Sequence, residues 1–367
     1  MFSVESTLSA AETNRYSRHL LLPEIGAAGQ HKLKAARVLV VGCGGLGCPV
    51  LQYLAAAGVG TIGLLDFDTV DDSNLQRQVL YGTADVGRPK AEAAAEKLRA
   101  QNPFIELRPH QVLLSTANAL PLFAGYDIVV DCSDNFATRY LVNDACVVLG
   151  KPLVFGAIFK FEGQVSVFNY QSGPTYRCLY AAPPAAGEAP NCAEIGVLGV
   201  LPGLVGTLQA TEALKIILEL GEVLSGRLLL VDALGMRFQP IRFRAVAANQ
   251  QRTALEADYA AFCGEAPLTE APARAPEISA DELKDWQQSG RLIQLVDVRE
   301  PHEHARRSIG GQLLPLGQLP QHLGGLRPNV PVVVHCASGV RSQKAALLLL
   351  ASGFGEVYSL RNGLADY

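Results

Sequence analysis

Short apolar segments rich in Val, Ile and Leu alternate with helical patterns along the first two thirds of the chain. Such alternation is typical of an α/β fold, in which helices cover a parallel sheet. The pattern predicts strands at residues 37–41, 61–65, 127–131, 152–155, 164–169 and 227–231. It predicts helices at residues 49–57, 89–101, 137–149 and 202–218.

A smaller α/β pattern begins near residue 277. It predicts helices at 281–288 and 342–351 and strands at 292–296 and 331–335. The stretch before it is rich in Ala, Gln, Glu and Pro, which is typical of a linker. We therefore predict a first domain, a linker and a small second domain, at residues 1–245, 246–276 and 277–367. A long segment rich in Pro, Ala and Gly, residues 171–194, is a candidate mobile loop.

Composition and charge exclude several classes of protein. A net charge of −4 provides no basic surface for nucleic acid or for an anionic membrane. No apolar run approaches the ~20 residues that a membrane span needs, and residues 1–15 lack the pattern of a signal peptide. Eight irregularly spaced cysteines in a large chain do not form a disulfide framework. We predict a reduced, cytoplasmic protein.

A glycine-rich loop, Gly-Cys-Gly-Gly-Leu-Gly at residues 42–47, follows the first predicted strand. Its glycines let the backbone approach a phosphate and let the next helix pack closely against the strand. They are Gly42, Gly44, Gly45 and Gly47. Asp66 follows at the distance where an acidic residue bonds a ribose hydroxyl. This motif alone fits NAD or FAD as well as ATP.

Polar residues further along favour ATP. Arg77 offers a planar fork for phosphate oxygens, Lys90 offers a point charge, and Asn74 and Gln78 add neutral hydrogen bonds. An enzyme that transfers hydride does not need this cluster, whereas an enzyme that binds the charged phosphates of ATP does. The alternative is that Arg77 and Lys90 form ordinary surface pairs with Asp68, Asp71 or Asp85.

Asp134 lies just after the predicted strand 127–131, at the carboxyl edge of the sheet where ligands bind. A carboxylate that faces a triphosphate there is placed to hold Mg²⁺. We predict ATP and Mg²⁺ as cofactors.

Residues 12–240 resemble the MoeB/ThiF family, which is related to ubiquitin-activating enzymes. The resemblance rests on Arg15-Tyr16-Ser17-Arg18, the glycine loop, Asp66-x-Asp68, Ser73-Asn74-Leu75-x-Arg77-Gln78, Lys90 and Asp131-x-x-Asp134-Asn135. It implies a Rossmann-like, doubly wound domain in a homodimer. It also implies that Mg-ATP adenylates the C-terminal glycine of a ubiquitin-like sulfur carrier protein that ends in Gly-Gly.

The resemblance also implies individual roles. Arg77, Lys90 and Asp134 would be catalytic, and Arg18 would reach the active site of the neighbouring subunit; the alternative for Arg18 is a solvated helix arginine. Cys192 matches a cysteine that attacks the acyl-adenylate in relatives. The alternative for Cys192 is a small buried hydrophobic residue.

A structural zinc site is where the sequence departs from the family. Most members carry two Cys-x-x-Cys pairs, but the first reads Thr175-Tyr176-Arg177-Cys178 here and residues 245–254 contain no cysteine. Because one or two thiolates do not complete a four-ligand site, we predict that zinc is absent.

The segment His335-Cys336-Ala337-Ser338-Gly339-Val340-Arg341-Ser342 carries the chemistry of the second domain. Backbone N–H groups, a helix N-terminus and Arg341 favour a thiolate or persulfide at Cys336. With Val296-Asp297-Val298-Arg299-Glu300, this Cys-x4-Arg loop resembles a rhodanese domain over 277–367. Cysteine phosphatases are the rival interpretation, although their loop carries an extra residue.

Together the two resemblances imply an enzyme that activates a carboxylate and supplies it with sulfur. Cys336 would take sulfur from a donor such as a cysteine desulfurase or thiosulfate, and its persulfide would convert the acyl-adenylate to a thiocarboxylate. The product would serve molybdopterin, thiamine, thio-tRNA or related sulfur metabolism. Two alternatives stay open: a non-catalytic dimeric scaffold that binds carrier proteins, and an NAD-dependent enzyme with a regulatory rhodanese domain.

Overall fold

The structure is a computed structural model that describes residues 8–184, 196–263, 275–319, 322–365 and 367. The chain divides into two compact units, Met1–Ala266 and Pro267–Tyr367. The predicted catalytic residue Cys192 lies outside the described residues.

The strands of the first unit form one mixed sheet. They are β1 (Arg37–Val41), β2 (Thr61–Leu65), β3 (Glu106–His110), β4 (Ile128–Asp131), β5 (Leu153–Phe159), β6 (Glu162–Phe168), β7 (Arg227–Asp232) and β8 (Arg237–Arg242). Their order across the sheet is β3-β2-β1-β4-β5-β6-β7-β8. From β3 to β5 neighbouring strands run parallel, whereas β5 to β8 pair antiparallel. The expectation of a parallel sheet is therefore correct for only part of it. Tight hairpins join β5 to β6 and β7 to β8 and leave no room for crossover helices, and β6 pairs antiparallel with β7 across a longer connection.

Helices surround this sheet. Those of the first unit within the described residues are α1 (Ala10–Arg15), α2 (Ser17–Leu20), α3 (Gly26–Ala35), α4 (Gly47–Ala57), α5 (Lys90–Gln101), α6 (Ala119–Ala124), α7 (Phe136–Val148), α8 (Tyr176–Leu179), α9 (Leu201–Leu218), α10 (Ala247–Gln250) and α11 (Tyr259–Phe262). No helix in the described part of the chain has the length and apolar character needed to cross a bilayer.

Alternate residues of β1 enter two hydrophobic cores. Val38 and Val40 belong to the core that contains Leu54 of α4, whereas Leu39 belongs to the core that contains Tyr140 of α7. Because successive side chains of a strand point to opposite faces, an uninterrupted apolar strand needs cover on both sides. The doubly wound α/β fold predicted from the sequence is confirmed.

The chain reverses direction across the sheet at β1. This strand pairs in parallel with β2 on one side and with β4 on the other. Connections that leave neighbouring strands in opposite directions open a crevice at the carboxyl ends of those strands. Here the crevice lies between the segments that follow β1 and β4, where Cys132 N–H donates to Val41 O at 2.8 Å.

The second unit contains a smaller sheet in which every described pairing is parallel. Its strands are β9 (Glu277–Ile278), β10 (Gln294–Asp297), β11 (Gln312–Leu313), β12 (Val332–His335) and β13 (Val357–Leu360), in the order β11-β10-β12-β13-β9. The helices described in this unit are α12 (Ala280–Gln288), α13 (Pro301–Arg306) and α14 (Val340–Ala351). Val332 and Val334 face one core and Val333 faces the other, so this sheet is also covered on both sides.

Residues 246–263 of the predicted linker pack against the first unit, whereas Ala275 belongs to a hydrophobic core of the second unit. Tyr259 is buried, and its hydroxyl donates to Asp144 Oδ2 at 2.7 Å. The same carboxylate accepts two hydrogen bonds from the Arg177 guanidinium, at 2.8 and 2.7 Å. Arg177 also stacks over the rings of Tyr140 and Phe262, at 4.9 and 4.7 Å. A buried charge pair thus fixes the segment around Tyr259 to α7 and α8.

Cys178, the cysteine that stands where the resemblance implies a zinc ligand, lies beside this pair. Its sulfur accepts hydrogen bonds from Thr175 N–H at 3.4 Å and from Val246 N–H at 3.2 Å. Together with a hydrogen bond from the Asn249 side chain, these bonds lower the pKa of the Cys178 thiol although burial opposes this. The absence of zinc stays a prediction.

We expect Asp144→Asn to destabilise the first unit by about 3 kcal/mol, because it removes the fully buried carboxylate of the pair and leaves the buried Arg177 with only the partly exposed Glu256, at 3.2 Å, as a counter-charge. Urea unfolding followed by far-UV circular dichroism would measure this loss. Glu222→Gln is the matched control, since Glu222 is 86% exposed in its pair with Arg227 and should contribute less than about 1 kcal/mol. Equal effects of the two changes would contradict the structural role of the buried pair.

Candidate active site

The glycine loop between β1 and α4 adopts a conformation that needs glycine. Gly42 has a φ of +94°, and a Cβ atom there would lie 2.8 Å from Cys132 O. A Cβ atom at Gly47 would lie 2.0 Å from Gly42 O. The two glycines therefore permit the close approach of β1, α4 and the segment after β4, as the sequence motif predicts.

Asp66 follows β2 and fixes the glycine loop. Its Oδ2 accepts a hydrogen bond from Cys43 N–H at 2.7 Å, and its Oδ1 accepts one from Asp68 N–H at 2.9 Å. Burial raises the pKa of Asp66, although the charge of Lys90 opposes this change. Asp66 also lines a cavity above the loop, where it remains available to a ligand hydroxyl.

Lys90, the first residue of α5, brings a buried positive charge to this cavity. Its side chain is 8% exposed, and its Nζ donates to Asp68 Oδ2 at 2.9 Å. Burial disfavours the charged form, but the carboxylates of Asp66 and Asp68 outweigh it and raise the pKa of Lys90. Asp134 contributes to the same increase. The ammonium group therefore stays charged at neutral pH.

Arg77 and Gln78 approach the loop from the turn after β2. The Arg77 guanidinium donates to Ser73 O at 3.2 Å. Gln78 is buried beside Gly44, and its Oε1 has no hydrogen-bond partner among the described residues. Both side chains line the cavity, as predicted.

Asn74 differs from the expectation for a nucleotide ligand. It is not among the residues that line the cavity. Its Oδ1 instead accepts a hydrogen bond from Asp71 N–H at 3.3 Å and caps the short 3₁₀ turn at Asp72–Asn74. An Asn side chain that caps a turn was indistinguishable in the sequence from one that faces a phosphate.

Asp134 reaches the same cavity from the carboxyl end of β4. It is exposed, and the next residue, Asn135, caps α7 by accepting a hydrogen bond from Thr138 N–H at 2.8 Å. The cavity thus gathers most of the predicted site: Gly42, Gly44, Gly45, Asp66, Arg77, Gln78, Lys90 and Asp134. Arg18 lies on α2, exposed to solvent, and does not line the cavity.

Arg139 lines the cavity and was missed by the sequence analysis. Its side chain is buried, its Nη2 donates to Ser133 O at 3.3 Å, and its guanidinium lies over the Phe155 ring at 5.8 Å. Its Nε has no hydrogen-bond partner among the described residues. The position of Arg139, one helical turn after the Asn135 cap, was the signal that could have revealed it.

Cys336 in the second unit lies at the bottom of the loop between β12 and α14. The residue is buried, and its sulfur accepts hydrogen bonds from Gly339 N–H at 3.2 Å and from Ser342 N–H at 3.4 Å. Gly339 has a φ of +89°, which turns these N–H groups inward. The loop therefore provides the N–H donors and the helix N-terminus predicted for a sulfur anion.

The Arg341 side chain does not bond the sulfur. Both of its terminal nitrogens bind Glu303 of α13, at 2.6 and 2.7 Å. A second arginine, Arg299, is held by Asp297 at the end of β10. Burial would raise the pKa of Asp297, but hydrogen bonds from Arg299 and His304 lower it to about 2.

Two family models match the chain in the same two regions. The ThiF family matches residues 16–253, and the rhodanese-like domain matches residues 279–367. The chain belongs to the ThiF family. Its C-terminal unit is a rhodanese-like domain.

Curated relatives support this assignment. The probable adenylyltransferase/sulfurtransferase MoeZ of Mycobacterium tuberculosis is 48% identical over 370 residues, which cover 99% of this chain and 94% of MoeZ. The sulfur carrier protein adenylyltransferase of Thermus thermophilus is 53% identical over 263 residues, which cover 69% of this chain and 97% of that protein. This ThiF-family chain is therefore an adenylyltransferase and sulfurtransferase.

A solved structure agrees with the fold of the ThiF-family domain. E. coli MccB, crystallised with MccA-N7isoAsn, superposes with a TM-score of 0.57 at 25% identity. The match covers 63% of this chain and 73% of the MccB chain.

We expect Lys90→Ala to weaken ATP binding by at least about tenfold, because it removes a buried charge-assisted contact from the cavity. Isothermal titration calorimetry with ATP would measure the change. Lys97→Ala is the matched control, since Lys97 lies on the same helix but pairs with Asp85. ATP affinity unchanged by Lys90→Ala would mean that phosphates do not bind here.

Proposed function

We propose that this enzyme adenylates the C-terminal glycine of a ubiquitin-like sulfur carrier protein and then converts that carboxylate to a thiocarboxylate. The observation that carries the proposal is the cavity at the reversal point of the sheet. It brings together a glycine loop, Lys90, Arg77 and Asp134. The name of the Thermus relative supports a sulfur carrier as substrate.

The residues of the cavity suit attack on a phosphate. A carboxylate oxygen of the carrier attacks the α-phosphorus of ATP, the bond to the β-phosphate breaks, and pyrophosphate leaves. Both reactants are anions, so their approach needs nearby positive charge. Lys90 and Arg77 supply that charge, and Asp66 faces the ribose. A carboxylate is already ionised at neutral pH, so the step needs no general base.

Mg²⁺ fits the donor set of this cavity. Magnesium in nucleotide sites is commonly held by one or two carboxylates together with substrate phosphates, without an all-protein cage. Asp134 is an exposed carboxylate that lines the cavity, so it would hold the ion. When bound, Mg²⁺ would neutralise phosphate charge.

Arg18 completes the proposed site from a second subunit. It lies outside the cavity of its own chain, and α2 presents it to solvent. A homodimer that places it in the neighbouring cavity would add positive charge where pyrophosphate leaves. The resemblance to the MoeB/ThiF family supports this role.

Sulfur transfer follows adenylation. The terminal sulfur of a Cys336 persulfide attacks the carbonyl carbon of the acyl-adenylate, AMP leaves, and an acyl disulfide links the carrier to Cys336. Attack by the Cys192 thiolate on the Cys336 sulfur would release the thiocarboxylate and form a disulfide, which a thiol reductant then opens. The N–H groups of Gly339 and Ser342 support the persulfide anion in this scheme.

ATP–pyrophosphate exchange tests the first half of the proposal. We expect exchange that depends on a purified carrier ending in Gly-Gly and that disappears when the last glycine is deleted, since the deletion moves the carboxylate. Calorimetry should show binding of ATP and none of NAD. Absence of exchange would favour the non-catalytic scaffold, and NAD binding would favour the dehydrogenase alternative.

A further inference from the structure

The loop that surrounds Cys336 carries a single charged side chain in its sequence, residues 336–342, and that side chain is Arg341. Backbone N–H groups of this loop can support one sulfur anion at Cys336. A donor that brings more negative charge therefore depends on Arg341.

Glu303 binds the Arg341 guanidinium in a bidentate pair. The two N–O distances are 2.6 and 2.7 Å, and the side chains of Glu303 and Arg341 are 26% and 33% exposed. Partial burial and paired geometry make such an interaction stronger than an ordinary surface ion pair. Glu303 is placed by α13, which begins at Pro301, and its side chain also accepts a hydrogen bond from Glu300 N–H at 3.0 Å.

The neighbouring arginine does not replace Arg341. Arg299 donates from Nε and Nη2 to the buried carboxylate of Asp297. Its Nη1 and Nη2 also donate to the main-chain oxygens of Glu303 and Arg307, at 3.3 and 2.7 Å. These bonds hold the Arg299 guanidinium within the fold.

The two classes of sulfur donor respond differently to this arrangement. With thiosulfate, the Cys336 thiolate attacks the outer sulfur, the S–S bond breaks, and sulfite leaves with the electron pair. Thiosulfate and sulfite both carry two negative charges, so the Glu303 carboxylate repels them. Because Arg341 is already paired with Glu303, its positive charge does not compensate this repulsion. With a cysteine persulfide, the terminal sulfur passes to Cys336 and a cysteine thiolate leaves, so at most one negative charge enters and leaves.

We propose that Glu303 is a specificity-determining residue, which by holding Arg341 disfavours thiosulfate and favours a cysteine persulfide as the sulfur donor to Cys336. The inference rests on the proposed role of Cys336 as sulfur acceptor. It selects one of the two donor classes that the sequence leaves open.

The test compares two donors on the full-length protein. One is thiosulfate, and the other is the persulfide of N-acetylcysteine methyl ester, whose only ionisable group is the persulfide. Mass spectrometry measures the rate at which Cys336 gains one sulfur atom. We expect the wild-type protein to react faster with the persulfide. Glu303→Gln should raise the thiosulfate rate about tenfold, the scale of one removed neighbouring charge, and change the persulfide rate by less than about threefold.

Two further variants separate charge from other effects. Glu303→Asp keeps the charge and should keep the preference for the persulfide. Glu356→Gln removes an exposed carboxylate of the same unit, paired with Arg291 at 3.3 Å, and should leave both rates unchanged. If Glu303→Gln left the ratio of the two rates unchanged, or if Glu356→Gln changed that ratio equally, the inference about Glu303 would be wrong. The proposed sulfur transfer would still stand. Failure of Cys336 to take sulfur from either donor would overturn the proposed sulfur transfer, and this inference with it.

Discussion

The first site depends on the close approach of the segments that follow β1 and β4. Gly42 touches the main chain at Cys132, and Gly47 touches the main chain at Gly42, so neither position has room for a side chain. This contact brings the glycine loop and Asp134 to one edge of the sheet. Lys90 and Arg77 then join them from the segments after β2. A bulkier residue at either glycine would separate the groups that the proposed adenylation needs.

In both sites a positively charged side chain forms an ion pair with a carboxylate of the protein. Lys90 pairs with Asp68 in the ThiF-family domain, and Arg341 pairs with Glu303 in the rhodanese-like domain. Each pair keeps a half-buried or buried cation neutralised and oriented. In the first site Lys90, Arg77 and Arg139 line one cavity, so one carboxylate does not cancel their combined charge. In the second site the loop has one cation, so the carboxylate decides which anion is accepted.

Sequence periodicity was sufficient for β1 and β2, whose residues are buried on both faces, but it missed the similarly buried strand β13. The apolar runs of β1 and β2 were predicted with their observed bounds. A strand that is covered on both faces has hydrophobic residues at successive positions, so its sequence is a continuous apolar segment. The edge strands β3 and β8 were missed, since they contain Pro109 and Pro240 and expose much of their length. Motif spacing identified the cavity residues but not Arg139 or Glu303, whose roles depend on contacts between distant segments.

In the proposed function one chain joins carboxylate activation to sulfur transfer. Single-turnover formation of the carrier thiocarboxylate would measure both steps together. Each full-length protein would be mixed with Mg-ATP, the persulfide of N-acetylcysteine methyl ester and a carrier ending in Gly-Gly, a thiol reductant would be added last, and the carrier mass would be followed with time. We predict that the wild-type protein gives thiocarboxylate, that Cys336→Ala stops at the carrier adenylate, and that Cys178→Ala behaves as wild type. Thiocarboxylate formed equally well by Cys336→Ala would show that the sulfur does not pass through Cys336.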